Sequence, residues 1–375
     1  MKKSILIIAG EVSGDLHAAK VVKACKDRSP ETTFWGIGGD HLAAEGVELL
    51  QHTDRMGVMG IGEVLKQYRF FKGVMKQVLE EVETRKPEAA LLVDYPGFNL
   101  RLAAQLKKRG VKVDYYISPK VWAWNKKRIP KMAKVIDRLM VIFPFEVEVF
   151  KDTGLQVDFV GNPLVEQIDG FLEIKPAELP WQSSRRIALL PGSRKQEIRK
   201  ILPSILSAAT LLEQKFPDVA FMIATPNQRI EKIVKEQIRE CPDKPSRLSV
   251  VCGQAREVMR QADAAIVTSG TATLETALIG TPHILVYKTS AFTYWFARAV
   301  VKIKHIGLVN IVAGKTVCPE LIQHAASAEA MATETERLMS DSPERTAMLE
   351  GYVELRNLLG AKKAASTVAA ILCGG

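Results

Sequence analysis

Short apolar runs recur along the chain, separated by stretches of helical period. Ser4–Ala9 is followed by a helix-like stretch from Asp15 to Arg28, and Ala89–Val93 by Asn99–Arg109. Lys112–Ile117 precedes a basic helical segment over Lys126–Ile136, and Arg138–Phe143 leads into Glu146–Asp152. Runs of Val, Ile and Leu bounded by turn residues, alternating with helices, predict βα units around a parallel sheet. The rhythm breaks after Gly161-Asn162-Pro163: residues 170–186 carry Pro176 and Pro180 without a clear period, which predicts an interdomain linker. It resumes with Ile187–Leu190, Val219–Ala224, Leu248–Val251, Ala264–Val267 and His283–Val286 as strands. From Ser327 onward only helix is predicted, including Ala361–Leu372. The expected fold class is α/β: two doubly wound domains facing a cleft, over residues 1–165 and 166–345, with the helices of 346–375 packing back on the first.

Composition narrows this picture little. The 375 residues are 47% hydrophobic and 25% charged, close to the globular average, which sets aside disordered and fibrous classes. No apolar stretch approaches the roughly 18 residues of a spanning helix. The apolar core of the N-terminal stretch is only Ile5 to Ala9, too short for a signal peptide, so a buried first strand and a cytoplasmic protein are expected. Five scattered cysteines (Cys25, Cys241, Cys252, Cys318 and Cys373) form no C-x-x-C pair and give no case for a zinc site or a disulfide framework. The formal charge of +10 attracts polyanions: nucleic acid, acidic lipid head groups or phosphorylated substrates.

In doubly wound sheets ligands sit outside the carboxyl ends of the strands, so candidate chemistry lies in the loops just after them. Gly10-Glu11-Val12-Ser13-Gly14-Asp15 follows the first strand. A helix start with Ser13 or Asp15 as N-cap explains part of it, but Glu11 also sets a carboxylate at the mouth of the sheet. Gly36 and Gly38 begin a G-x-G-x-x-G pattern that His41 breaks, so dinucleotide binding is a weak reading. Val93-Asp94-Tyr95-Pro96-Gly97 ends an apolar strand in a Pro-Gly turn. Asp94 either bonds the turn backbone or, screened from water with its pKa raised, serves as a general base. Leu190-Pro191-Gly192-Ser193-Arg194 joins a strand to a helix whose first amides suit an anion, with Arg194 as a fork for phosphate oxygens. Thr268-Ser269-Gly270-Thr271 is a second loop of that kind. Glu275, read as lying in the first turn of the following helix, either complements the helix dipole or accepts hydrogen bonds from a ribose diol. Two phosphate-type loops and a diol acceptor in one domain suit a nucleotide diphosphate.

Two further segments mix apolar and basic residues. Over Met56–Leu79, the residues Val64, Leu65, Tyr68, Phe71, Val74, Met75 and Val78 recur at helical spacing among Lys66, Arg69, Lys72 and Lys76. Such a helix packs on a sheet or inserts at a membrane interface. Phe292–Lys304 has the same character. Trp122 and Trp124 beside Lys120, Lys126, Lys127 and Arg128 could stack nucleic acid, but no RNA-binding motif accompanies them and nucleic acid is not an expected partner.

The ordered set AGEVSGDLHAA, MGVMGIGEVL, DYPGFNLRLA, SPKVWAWNKKRI, LLPGSRKQEI, SGTATLETAL and LVNIVAG closely resembles the lipid-A-disaccharide synthases over nearly the whole chain. The resemblance implies the GT-B glycosyltransferase fold of two Rossmann-like domains, acceptor domain first and UDP-sugar donor domain second. It implies transfer from UDP-2,3-diacylglucosamine to 2,3-diacylglucosamine 1-phosphate, giving a β(1→6) disaccharide and UDP, with no metal and no cofactor. It also implies peripheral attachment to the lipid surface of the inner membrane at its cytoplasmic face. Carried over residue by residue, the catalytic aspartate falls on Asp94. Substrate-binding positions fall on Glu11 and Ser13, on Ser193 and Arg194, on Gly270, Thr271 and Glu275, and on Asn310, which the residues alone mark as an ordinary loop position. Lys120, Asn125 and Asn162 depart from the family's pattern and carry no assigned role. A different GT-B enzyme (a UDP-N-acetylglucosamine 2-epimerase or a peptidoglycan-type transferase) and a non-catalytic membrane-binding module are the alternatives. The expected G-G-x-G-G turn of the peptidoglycan enzyme is absent after the first strand. The sequence leaves the oligomeric state open, a homo-oligomer included.

Overall fold

The computed structural model describes residues 3–56, 64–289 and 304–374. The chain divides into two compact units, Met1–Pro163 with Leu359–Gly375, and Leu164–Leu358.

The first unit is built on seven parallel strands: β1 (Ser4–Ala9), β2 (Thr33–Gly38), β3 (Glu48–His52), β4 (Ala89–Val93), β5 (Lys112–Tyr116), β6 (Arg138–Val141) and β7 (Gln156–Phe159). Their spatial order is β3-β2-β1-β4-β5-β6-β7. The helices are α1 (Val12–Arg28), α2 (Asp40–Ala44), α3 (Val64–Arg85), α4 (Pro96–Lys108), α5 (Val121–Trp124), α6 (Ile129–Val135) and α7 (Phe145–Phe150). The central strands read as unbroken apolar runs because helices cover both faces. Alternate residues of β1 enter different cores: Leu6 and Ile8 pack with Val74, Val78 and Leu102 of α3 and α4, while Ile5 and Ile7 pack with Ala18 and Val22 of α1. The sequence pattern missed β2, β3 and β7. In β2 two glycines interrupt the run, and Gly36 is required there: a Cβ would stand 2.0 Å from the Ile7 carbonyl oxygen. Gly36 and Gly38 are thus strand residues, not the start of a dinucleotide loop.

The second unit carries β8 (Arg185–Leu190), β9 (Val219–Thr225), β10 (Leu248–Cys252), β11 (Ala264–Thr268), β12 (His283–Tyr287) and β13 (Glu320–Ile322), in the order β10-β9-β8-β11-β12-β13. Its helices are α8 (Pro163–Glu173), α9 (Lys195–Lys215), α10 (Gln228–Glu240), α11 (Ala255–Gln261), α12 (Thr271–Ile279), α13 (Leu308–Ala313), α14 (Ala328–Met339) and α15 (Pro343–Leu359). The interdomain linker expected over 170–186 lies instead inside the second unit, which begins at Leu164, and α8 runs into it as far as Glu173. The helices predicted over 346–375 divide differently: α15 groups with the second unit up to Leu358. Only the last helix, α16 (Ala364–Cys373), packs on α1, with Val368, Ala369 and Leu372 joining the core of β1 and α1.

In each sheet the strand order reverses direction once, between β1 and β4 in the first unit and between β8 and β11 in the second. These are the switch points, where the connections before and after leave toward opposite faces and open a crevice at the strands' carboxyl ends.

Candidate active site

The loops that flank the first switch point are Gly10-Glu11 and Asp94-Tyr95, and they touch. A Cβ on Gly10 would stand 2.3 Å from Cδ1 of Tyr95, so only glycine lets the Tyr95 ring lie there. The Tyr95 hydroxyl donates to the Met56 carbonyl at 3.0 Å and fixes the ring. Glu11, not Ser13 or Asp15, occupies the N-cap position of α1, and its side chain makes no capping bond. Glu11 and Ser13 are exposed at this rim. Asp15 is buried one turn in and accepts from the backbone amides of Gly39 (2.6 Å), His41 (3.0 Å) and Leu42 (3.2 Å), so it caps α2 instead. Asp94 and Tyr95 both adopt left-handed backbone, φ 46° and 48°. The Asp94 carboxyl is raised above the ordinary range, chiefly by burial and then by the Glu11 charge, with the Tyr95 amide and Lys120 acting the other way. A half-buried carboxylate with an elevated pKa at a switch point is suited to accept a proton from a hydroxyl.

Trp122 does not offer a stacking face to nucleic acid. It is buried, stands edge-on to Phe145 at 4.9 Å between ring centroids, and donates its indole N–H to Glu146 at 3.1 Å. The side chain of Trp124 lies outside the described residues. Burial pushes the Glu146 carboxyl up to about 7, against the Trp122 indole, the amides of Phe143 and Ile142, and Lys120. A group whose pKa is higher in the folded than in the unfolded chain stabilises the fold fully below its unfolded value, and that contribution is lost as pH rises through the folded value. The wild-type melting temperature is therefore expected to drop relative to that of Glu146→Gln, neutral throughout, between about pH 5 and about pH 8. Parallel melting curves across that window check this, and curves that stay parallel would show that Glu146 ionises at an ordinary pH.

The second switch point is flanked by Gly192-Ser193-Arg194 after β8 and by Ser269-Gly270-Thr271 after β11. Gly192 takes φ 100°, and the site of its absent Cβ is 3.5 Å from the Thr268 methyl, so these two loops also meet. Arg194 is the N-cap of α9, with no side-chain cap on the first amides. Its guanidinium is 80% exposed and donates to Glu197 at 2.8 Å. Gly270 precedes α12 at φ 157° and ψ −164°, with open space where a Cβ would point. The hydroxyl of Thr268, at the end of β11, is buried and has no hydrogen-bond partner among the described residues. Two helix starts and an unpaired hydroxyl give this crevice donors for an anion.

Glu275 lies in the second turn of α12, not the first, so the dipole explanation loses force. Oε1 accepts from both Nε (3.1 Å) and Nη2 (2.7 Å) of Arg256, which also donates to Gln167 at 3.2 Å. The pairing holds Glu275 through Oε1, and Oε2 has no hydrogen bond among the described residues. Arg256, in the loop-and-helix after β10, escaped the sequence reading although it too follows a strand. Asn310, a substrate-binding position by the resemblance, lies in α13. Its side chain is fully buried, Nδ2 donates to the Cys318 carbonyl (2.8 Å) and Glu320 (2.9 Å), and Oδ1 accepts from the amides of Val317 (2.7 Å) and Cys318 (3.0 Å). All its bonding capacity braces the turn after α13, and none is free for a ligand.

Beside Asp94, a groove of about 470 Å³ opens between α3 and α4, lined by Tyr68, Phe71, Met75, Tyr95 and Phe98 with Lys72 and Arg101 among them. The helix α3 packs on the sheet through Val74, Val78 and Val82 and turns this second apolar strip to the groove. The Gly-rich part of its segment, residues 57–63, lies outside the described residues, and so does the second apolar and basic stretch over 292–303. Among the described residues no helix is long and apolar enough to cross a membrane.

Solved structures share this architecture. A putative UDP-N-acetylglucosamine 2-epimerase from Listeria monocytogenes matches with a TM-score of 0.67 at 14% identity, covering 99% of this chain and 94% of its own. MurG from Acinetobacter baumannii matches with a TM-score of 0.59 at 14% identity, covering all of both chains. The fold is thus that of the GT-B glycosyltransferases and epimerases. The sequence pattern of the lipid-A-disaccharide synthetase family matches residues 5–371. The lipid-A-disaccharide synthase of Syntrophus aciditrophicus is 42% identical over 371 residues, 98% of this chain and 96% of the relative. That of Myxococcus xanthus is 39% identical over 368 residues, 97% and 95% of the two chains. The chain belongs to the lipid-A-disaccharide synthase family and is a glycosyltransferase.

Proposed function

We propose that the protein joins UDP-2,3-diacylglucosamine to 2,3-diacylglucosamine 1-phosphate in one inverting displacement, giving the β(1→6) disaccharide 1-phosphate and UDP. In this reading the first unit takes the acceptor and the second takes the donor nucleotide. Asp94 removes the proton of the acceptor 6-hydroxyl as that oxygen attacks the anomeric carbon from the face opposite UDP. Negative charge grows on the leaving diphosphate, where Arg194 and the first amides of α9 and α12 offset it. Glu275 accepts hydrogen bonds from the ribose, and Glu11 and Ser13 meet the acceptor at the rim of the first crevice. The observation that carries the reading is that the candidate residues of each unit, Asn310 excepted, gather in the loops and helix starts of its switch point.

The apolar groove beside Asp94 supports an acylated acceptor, since a chain laid over Phe71, Met75 and Phe98 leaves its sugar near the base. Lys72 and Arg101 fit a protein working at the anionic cytoplasmic face of the inner membrane, at roughly 1 kcal/mol for each cation near the surface. A Staphylococcus aureus protein solved with UDP, MnaA, shares the fold at a TM-score of 0.64 and 13% identity, covering 99% of this chain and 96% of its own. Its ligand agrees with a UDP-sugar donor here. The test is to supply both sugars and follow UDP with and without the acceptor. Acceptor-dependent release is expected. Release that ignores the acceptor, or conversion of UDP-N-acetylglucosamine alone, would replace this reading with an epimerase-type one.

A further inference from the structure

The backbone at Asp94 is held in an uphill conformation by two buried side chains. Two successive non-glycine residues in the left-handed region cost on the order of 1 kcal/mol or more each and persist only where their surroundings over-determine them. Here the surroundings can be named. The Asp94 carbonyl oxygen accepts from Asn99 Nδ2 at 2.8 Å and from the Tyr115 hydroxyl. Asn99 Nδ2 also reaches the Val93 carbonyl at 3.2 Å, and the Asn99 amide donates to the Tyr95 carbonyl at 3.1 Å. The Asp94 amide, on the other side of the same residue, donates to the Tyr116 carbonyl at 2.9 Å. Asn99 and Tyr115 are both completely buried, the first in α4 and the second in β5. The other half of the Asn99 amide, Oδ1, is buried without a partner among the described residues. Asn99 Nδ2 meets two backbone carbonyls that an apolar residue would leave short of a donor, and one of them is that of Asp94.

We propose that Asn99 and Tyr115 are positioning residues for the transfer reaction: they clamp the Asp94 carbonyl inward and thereby aim the Asp94 carboxylate outward, at the carboxyl end of β4. This rests on Asp94 being the base, as read above. Both side chains are fully buried, so neither is open to a ligand. With the carbonyl pinned, the Cα–Cβ direction of Asp94 is set by the left-handed turn. With the pin removed, the turn relaxes and the carboxylate moves into more water, losing both its aim and part of the burial that raises its pKa.

Two variants test the clamp. Tyr115→Phe keeps the ring and removes one donor, so it is the milder change, while Asn99→Ala removes the other. Tyr115→Phe is expected to lower kcat about tenfold and Asn99→Ala about a hundredfold, the scale of a misplaced catalytic group, with KM for the UDP-sugar within about twofold of wild type. The acidic limb of the kcat profile is expected to move to lower pH in both, which a generally weakened fold would not produce. Crystal structures of the variants supply a readout independent of activity: Asp94 is expected to leave the left-handed region in Asn99→Ala. A folded Tyr115→Phe and Asn99→Ala pair with wild-type kcat and limb, or an unchanged Asp94 φ in Asn99→Ala, would overturn the clamp. The base assignment is judged separately by Asp94→Asn. If that variant is inactive while both clamp variants keep the wild-type rate, the clamp alone fails. If it keeps its rate, the base reading fails and takes this proposal with it.

Discussion

Asp94→Asn is expected to lower kcat by roughly a hundredfold or more, the usual share of a general base, while binding of UDP stays as in wild type. The substitution keeps the shape of the side chain, and asparagine tolerates the left-handed backbone that this position requires. What it removes is the ability to take a proton. The same change is expected to raise the melting temperature at neutral pH. The Asp94 carboxyl is pushed up by burial and by Glu11, so the ionised form is the costly one. Its stabilising contribution is complete below the ordinary carboxylate pKa and is lost as pH rises through the raised value. Asparagine carries no such loss. A rate loss together with a gain in stability distinguishes a functional carboxylate from a structural one, whose removal would lower both. The measurements are steady-state kcat, UDP titration calorimetry and thermal melts at two pH values. A variant that keeps more than about a tenth of the rate, a loss under about 1.4 kcal/mol, would remove Asp94 from the role of base.

Arg194→Ala is expected to weaken UDP binding by roughly ten- to a hundredfold, the range for a lost charge-assisted contact to a phosphate. Binding of uridine, which lacks the diphosphate, should be unchanged. The guanidinium is 80% exposed and its partner Glu197 is the residue three positions on in the same helix, so its loss should cost the fold little. Arg194→Lys keeps a point charge but not the planar fork and is expected to fall between the two. Calorimetry with UDP and with uridine on all three proteins makes the comparison. Equal UDP affinity in wild type and Arg194→Ala would exclude Arg194 from the diphosphate site.

Much of the fold is legible in the sequence because strands buried on both faces are unbroken apolar runs, as β4 (Ala-Ala-Leu-Leu-Val) and β11 (Ala-Ala-Ile-Val-Thr) are. The strands that escaped are those for which this does not hold. β3, β7 and β13 are edge strands with half-exposed residues, and β2 is interrupted by a glycine that the neighbouring β1 backbone demands. Candidate site residues are legible where they stand next to a strand end and a turn signal, as Asp94, Gly192, Arg194 and Gly270 do. Asn99, Tyr115 and Arg256 were not, because their parts depend on partners from other elements: a carbonyl at Asp94 for the first two and the Glu275 carboxylate for the third. Asn310, which the residues alone mark as an ordinary loop position and only the resemblance singles out, sits in α13 with its side chain bonded to Val317, Cys318 and Glu320, contacts that no local pattern displays.

The most direct test of the whole account is the linkage in the product. Purified protein, UDP-2,3-diacylglucosamine and 2,3-diacylglucosamine 1-phosphate are combined, and the lipid product is analysed by NMR and mass spectrometry alongside the UDP formed. The account predicts one UDP per disaccharide and a single β(1→6) bond with the donor's anomeric configuration inverted. A product with retained configuration, or UDP formed without any disaccharide, would contradict it.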